Sequence, residues 1–127
     1  MPPLIRILIK THHMTSRKKI LTITKAAKRL SCSVLLKTGC PPGVMVAEGV
    51  LAGDWLEVVR KLRYKDYQLM KREEVDKRGL DVEPGDVKEL TSMKELGAFL
   101  EKNGGIYEWW RVGMGYKKDE GSLQNQQ

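Results

Sequence analysis

The sequence is poor in cysteine, in aromatic residues and in long apolar runs. Its 127 residues include two cysteines, and aromatic residues make up 6% of the chain. Two cysteines make no disulfide framework, and no apolar stretch approaches the ~18 residues of a membrane span. The opening stretch lacks the plan of a signal peptide because Arg6 interrupts its short apolar run. The sequence therefore predicts a reduced intracellular protein with no membrane segment.

Acidic residues are missing from the whole N-terminal part of the chain. Residues 1–47 contain nine Lys and Arg and no Asp or Glu, whereas residues 48–127 contain fourteen basic residues against sixteen acidic ones. The net charge of +7 therefore comes from the N-terminal part. This asymmetry favours an anionic partner for that part, and three kinds fit it: nucleic acid, a phosphorylated ligand and a membrane surface.

Apolar patterns predict an α+β chain. Strands are expected over residues 4–10, 33–37, 44–48 and 67–75, and helices over residues 17–30 and 54–64. This order of elements is the split βαβ pattern (βαββαβ) of a ferredoxin-like fold, with a four-stranded antiparallel sheet and both helices on one face. Ile5, Ile7 and Ile9 alternate with other side chains in the first strand, so they should lie beneath the helices.

The last third of the chain is predicted to extend this core. We expect three divisions: a ferredoxin-like core over residues 1–76, a loop, helix and aromatic extension over residues 77–116, and a disordered tail over residues 117–127. The helix of the extension lies near residues 92–103, and residues 106–116 are interpreted as extended chain. Adjacent tryptophans in an extended stretch face opposite ways, so at least one of Trp109 and Trp110 should fill the core.

Two sets of motifs resemble a domain of known RNA-processing proteins. The first set is His12-His13, Arg17-Lys18-Lys19-Ile20, Gly39-x-x-Pro42-Gly43 and Val46-Ala47-Glu48-Gly49, and the second is Leu90-x-x-Met93-x-x-Leu96-x-x-Phe99-Leu100 followed by Asn103-Gly104. Together they resemble the C-terminal domain of pre-mRNA-processing factor three, which certain RWD-domain-containing proteins share. The resemblance implies a ferredoxin-like module that binds single-stranded or small nuclear RNA and associates with ribonucleoprotein subunits. It also favours a nuclear over a cytoplasmic location, and no membrane partner is expected.

The predicted topology brings several basic segments to one edge of the sheet. The residues expected there are His12, His13, Arg17, Lys18, Lys19, Lys37, Arg60, Lys61, Arg63, Tyr64 and Lys65. Such an edge would suit RNA, since cations neutralise phosphates and an aromatic ring, here Tyr64, can stack on a base. Cations in the first turn of the first helix oppose the helix dipole, so they favour a bound anion there. The proline-containing loop over residues 39–43 is interpreted as a rigid wall of this site.

A second hypothesis places the function in the aromatic extension. In this alternative Tyr107, Trp109 and Trp110 form a docking patch for a protein partner, and the basic edge is incidental. Catalysis is not expected, because no nucleophile–base set and no paired carboxylates beside a basic cleft emerge. The two histidines and two cysteines lack zinc-finger spacing, so neither a metal nor another cofactor is expected.

Overall fold

The computed structural model describes residues 2–118, which fold into five strands and four helices. In chain order these are β1 (Leu4–Thr11), α1 (Arg17–Arg29), β2 (Ser33–Lys37), β3 (Gly43–Gly49), α2 (Ala52–Lys61), β4 (Gln68–Val75), β5 (Val87–Leu90), α3 (Met93–Glu101) and α4 (Gly105–Met114). The first six elements have the predicted βαββαβ order, so the α+β, ferredoxin-like class is confirmed. Most of the predicted tail, residues 119–127, lies outside the described residues.

The sheet has one strand more than predicted. Its order is β4-β1-β3-β2-β5, and β1 lies antiparallel to both β3 and β4. The additional strand, β5, pairs parallel to β2, so the sheet is mixed rather than purely antiparallel. β5 was hard to predict because it is four residues long, and its two central residues, Lys88 and Glu89, are exposed. Without a buried alternating pattern, such a segment resembles a loop.

The edge strands β4 and β5 differ in length and regularity. Opposite Leu8 and Ile9, β4 presents Lys71 and Leu69, so Met70 has no partner and forms a bulge. From there β4 continues with four charged residues before it ends at Val75.

The helices α1 and α2 cover one face of the sheet. The Ser16 side chain accepts a hydrogen bond from the Lys19 amide and caps α1. Below the helices, Ile7 and Ile9 of β1 are fully buried, as the alternation predicted. Trp55 of α2 is the largest fully buried side chain on this face.

The helices α3 and α4 cover the opposite face. Leu8 of β1 lies beneath them, together with Leu96 and Leu100 of α3. The interpretation of residues 106–116 as extended chain was wrong, because α4 occupies most of them. Adjacent residues on a helix are only about 100° apart, so Trp109 and Trp110 can both lie on its inward side. They are 8% and 5% exposed.

A buried ion pair lies on the α3/α4 face. Arg6 of β1 and Glu48 of β3 are opposite each other in the sheet, and Arg6 Nε donates to Glu48 Oε2 at 2.8 Å. The Glu48 carboxylate, which is fully buried, also accepts hydrogen bonds from the Gly79 and Leu80 amides. It therefore fastens the segment between β4 and β5 to the centre of the sheet.

Candidate functional site

The structure brings together three of the segments that the sequence assigned to the basic edge. The His12 amide donates to the Lys65 carbonyl at 2.9 Å, so the end of β1 lies beside the segment after α2. The Lys19 ammonium lies 4.8 Å from the centre of the Tyr64 ring, which joins the start of α1 to the same region. The predicted convergence of these segments is present. An open phosphate site needs unpaired basic side chains, however, and several basic side chains here are paired within the protein.

Three basic residues of this edge have acidic partners within the chain. Arg17 forms two hydrogen bonds with Glu89 of β5, at 2.5 and 3.1 Å. Arg60 pairs with Glu57 at 2.7 Å, and His12 Nδ1 lies 3.4 Å from the Asp66 carboxylate. The hydrogen bond from Arg17 lowers the pKa of Glu89. The anion expected at the start of α1 is therefore a side chain of the protein itself.

Two further residues of the predicted edge point inward. Lys37 is 3% exposed and donates to the carbonyls of Cys40 and Pro42 at 2.6 and 2.9 Å. Tyr64 is 7% exposed, and its burial raises the pKa of its hydroxyl to about 12. The expectation that Tyr64 offers a stacking face is wrong, because its ring is covered. The exposed residues of the edge that form no side-chain hydrogen bond or ion pair within residues 2–118 are His13, Lys18, Lys61, Arg63 and Lys65.

The docking patch of the second hypothesis is not exposed either. Trp109 and Trp110 face the sheet, and the Trp109 indole donates to a Glu73 carboxylate oxygen. Tyr107 is half-buried against Trp110, with ring centres 6.0 Å apart. These aromatic residues hold α4 on the sheet, so they are not available as the surface of a partner site.

A cavity of about 670 Å³, called here the β1-end pocket, lies where β1 ends. It is lined by Lys10, Thr11, His12, Pro41, Pro42, Asp66, Tyr67, Gln68 and Tyr116. Lys10 and Gln68 are opposite each other in the β1–β4 pair, so both point to the same face of the sheet. The turn between β2 and β3 supplies the two prolines, which are joined by a cis peptide bond.

The lining of the β1-end pocket combines flat apolar surfaces with a few polar groups. Tyr67 is half-buried, and this burial raises the pKa of its hydroxyl. Tyr116 is 51% exposed, and its ring meets the Trp110 ring edge-on at 5.7 Å. Lys10 offers a cation, Gln68 an amide and Asp66 a carboxylate at the rim. These groups can bind a flat molecule and form hydrogen bonds with its edge.

Sequence reasoning identified His12 and the proline-containing loop but missed Tyr67, Gln68 and Tyr116. The signal for Tyr67 and Gln68 was an aromatic residue followed by an amide at the start of a predicted strand. Tyr116 belongs to the aromatic segment that the sequence singled out, but its place in this pocket could not be predicted, because residues 106–116 were interpreted as extended chain.

Metal-binding side chains do not gather in the part of the chain that the structure describes: no group of three His, Cys, Asp or Glu residues could hold an ion there. Cys32 is buried, which raises the pKa of its thiol to about 11, and Cys40 is exposed. Across residues 2–118, no helix has both the length and the apolar character to cross a membrane.

Comparisons with known proteins find similarity at the level of structure. No family model and no curated protein matches the sequence. The structure is similar to the BlrP1 BLUF domain, with a TM-score of 0.61, 12% identity, and coverage of 87% of this chain and 88% of that one. It is also similar to the BLUF protein BlrB, with a TM-score of 0.55, 19% identity and coverage of 90% and 95%. A bacterial light-regulated adenylyl cyclase matches with a TM-score of 0.52 and 14% identity, over 89% of this chain and 36% of the cyclase.

These findings correct the resemblance to the splicing factor. Two of these similar structures are BLUF proteins, and nothing in the sequence comparisons matches a splicing-factor domain. The predictions of RNA binding, which was also argued from the basic edge, and of ribonucleoprotein partners are wrong. The prediction of a nuclear location loses the resemblance that supported it. At identities of 12–19%, the similarity to BLUF proteins establishes a shared fold.

One of the similar structures, BlrP1 from Klebsiella pneumoniae, is described with FMN, so we tested whether the present residues fit a flavin. A flavin is a rigid three-ring plane whose edge needs several hydrogen-bond partners. The layer between α1 and α2 is filled by buried apolar side chains, and neither helix contains Asn or Gln. The buried polar atoms without a partner in that layer include Trp55 Nε1 and the Tyr64 hydroxyl, which are single atoms in close-packed surroundings. The residues between these helices do not fit a flavin.

Proposed function

We propose that this chain is a non-catalytic sensor module that binds a small, planar heteroaromatic molecule in the β1-end pocket. The observation that carries the proposal is the lining of this pocket, which combines two tyrosines and two prolines with an amide and an ammonium group. Small-molecule sites are typically cavities of about 300–1,000 Å³ with apolar walls and a few polar groups that fix the ligand's orientation. The volume and the lining of the pocket both agree with this description.

The polar groups define which ligand would bind. The rings of Tyr67 and Tyr116 offer faces on which a heterocycle can stack. The Gln68 amide can both donate and accept a hydrogen bond, so it matches an edge that carries a ring nitrogen beside a carbonyl or amino group. Lys10 and Asp66 carry opposite charges, so the pocket does not require a charged ligand.

The position of Tyr116 connects this pocket to the outer surface of the protein. Tyr116 follows α4 directly, and its ring contacts Trp110 in the middle of that helix. A ligand that fixes Tyr116 would therefore change the conformation of the C-terminal end of α4. A partner protein can recognise that change. The similar light-regulated cyclase contains this fold as about a third of its chain, which is consistent with a regulatory role for such a domain.

An NMR titration tests the proposal. The chain would be titrated with guanosine and with riboflavin, neutral probes without phosphate, while the amide signals of Tyr67 and Gln68 are followed. We expect saturable shifts at these amides with at least one probe. Tyr67→Leu should weaken the affinity for that probe about tenfold, because stacking on an aromatic ring contributes about 1–3 kcal/mol.

The matched control is Tyr107→Leu, which removes an equivalent half-buried ring outside the pocket. It should leave the affinity unchanged. If neither probe shifts these amides, or if both leucine variants lose affinity equally, the proposed function is wrong.

A further inference from the structure

A second cavity, called here the Arg6 pocket, lies on the α3/α4 face and has a volume of about 720 Å³. Its lining includes Arg6, Lys77, Arg78, Asp81 and Gly105. It shares no lining residue with the β1-end pocket. An inference about the Arg6 pocket is therefore independent of the proposed function.

Arg6 gives this pocket a built-in cation. Its side chain is 10% exposed, with Nε bound to Glu48 and Nη2 within 3.4 Å of the Lys77 carbonyl. Its third guanidinium nitrogen, Nη1, forms no hydrogen bond within residues 2–118. Arg6 Nη1 is not fully buried, so this donor is open to the cavity and can bind an acceptor that enters it.

The net charge of the residues around the Arg6 pocket is positive even when Glu48, the partner of Arg6, is included. The Glu48 carboxylate is occupied by Arg6 and by the Gly79 and Leu80 amides. At the surface, Lys77 and Arg78 are both exposed and line the same cavity. Asp81 is the one acidic residue in the lining, so the cations outnumber it.

The beginning of α4 adds backbone donors to this cavity. The helix starts at Gly105, and its N-cap residue Gly104 provides no side-chain hydrogen bond. The Gly105 amide has no hydrogen-bond partner within the described residues. At both Gly104 and Gly105 the position that a Cβ atom would take is open, with no heavy atom within 4 Å. Such a helix start attracts an anion through its free N–H groups and its dipole.

We propose that the Arg6 pocket binds a phosphate group, with Arg6 at its base, Lys77 and Arg78 at its rim and the Gly105 amide at one side. A phosphate dianion has enough acceptor oxygens for guanidinium, ammonium and amide donors at once. The group could arrive as inorganic phosphate or as the phosphate of a small organic molecule, and the experiment distinguishes the two.

The test is calorimetric titration of the full chain with inorganic phosphate and with phenyl phosphate, at constant ionic strength in chloride. Gly105→Ala places a methyl group in the open space that the anion would occupy. We expect at least tenfold weaker phosphate binding, and thermal stability that stays equal or rises because Ala is the better helix former. The matched control is Gly97→Ala in α3, where the added methyl group meets ordinary contacts of 3.8–4.0 Å.

A second pair of variants tests the charges. Lys77→Gln should weaken phosphate binding severalfold, whereas Lys94→Gln, which removes an exposed lysine outside the pocket, should not. Tighter binding of phenyl phosphate than of inorganic phosphate supports an organic ligand, and equal binding supports free phosphate. The proposal is overturned if phosphate does not bind, or if each control variant loses as much affinity as its partner.

Discussion

The two faces of the sheet are both covered by a pair of helices, but different chemistry holds each cover in place. On the α1/α2 face, the buried cluster consists of aliphatic side chains with Trp55, Tyr64 and Cys32. On the α3/α4 face, an apolar cluster surrounds a buried ion pair between Arg6 and Glu48. The interior of the first cover therefore depends on apolar packing, whereas the interior of the second also depends on satisfying buried charges.

The difference shows what a buried charge can do for a fold. The segment between β4 and β5 must cross the α3/α4 face to reach the far edge of the sheet, and it has little regular structure of its own. The Glu48 carboxylate binds two amides of this segment, which gives the crossing a defined position. Apolar contacts lack the directionality of these hydrogen bonds and would fix the backbone less closely.

The largest expected effect comes from removing the charge at the centre of the α3/α4 face. Glu48→Ala leaves Arg6 buried without its partner and deprives the Gly79 and Leu80 amides of their acceptor. Breaking a buried pair in this way costs about 3–5 kcal/mol of unfolding free energy. Urea denaturation followed by circular dichroism measures this loss.

The control for this experiment is Glu57→Ala, which breaks the exposed pair with Arg60 in α2. Its denaturation midpoint should match that of the parent, because exposed ion pairs contribute little. Equal midpoints for the Glu48 and Glu57 variants would mean that the ion pair does not hold the α3/α4 face.

A smaller effect separates the two tryptophans of α4. The Trp109 indole donates to Glu73, whereas Trp110 Nε1 is buried with no hydrogen-bond partner. Substitution by Phe removes the same volume at both positions, so the difference between the variants reports on the hydrogen bond. We expect Trp109→Phe to destabilise the protein by about 1 kcal/mol more than Trp110→Phe in the same urea assay. The reverse order would show that packing, rather than this hydrogen bond, anchors α4.

The smallest effect is a pH dependence at the periphery of the α1/α2 face, where Arg17 of α1 holds Glu89 of β5. The hydrogen bond from Arg17 sets the pKa of Glu89 below its ordinary value of 4.5. The contribution of this pair to the stability of the fold is therefore complete above about pH 4.5 and is lost as the pH falls through the lowered pKa of Glu89. Arg17→Gln should reduce the drop in melting temperature between about pH 6 and pH 3, and an unchanged drop would show that other carboxylates account for it.

The α1/α2 face was predictable from the sequence because its signals are local. Ile7 and Ile9 alternate within one strand, and Ile20 and Ile23 share one side of a helix, so their burial follows from the period of each element. The α3/α4 face was less predictable. Arg6 has the pattern of an exposed residue, and its partner Glu48 lies 42 positions away along the chain. The periodic pattern of a single strand or helix cannot predict a contact between residues this far apart in the sequence.

The candidate sites were harder to predict, for two physical reasons. The basic edge was assembled from topology alone, and topology does not reveal that Arg17 reaches Glu89, since β5 was not predicted. Both pockets also depend on the position of α4, which places Tyr116, just after its end, in one pocket and its first residue, Gly105, in the other. Because residues 106–116 were interpreted as extended chain rather than as a helix, neither pocket could be assembled.

The irregular edges of the sheet also bear on how copies of this protein behave towards one another. An open strand edge can act as a template for another chain, and regular, uncharged edges are the most prone to such association. Here one edge is interrupted by the bulge at Met70 and then carries Lys71, Arg72, Glu73 and Glu74. The other edge is only four residues long. The sheet therefore ends on both sides in strands that discourage aggregation between molecules.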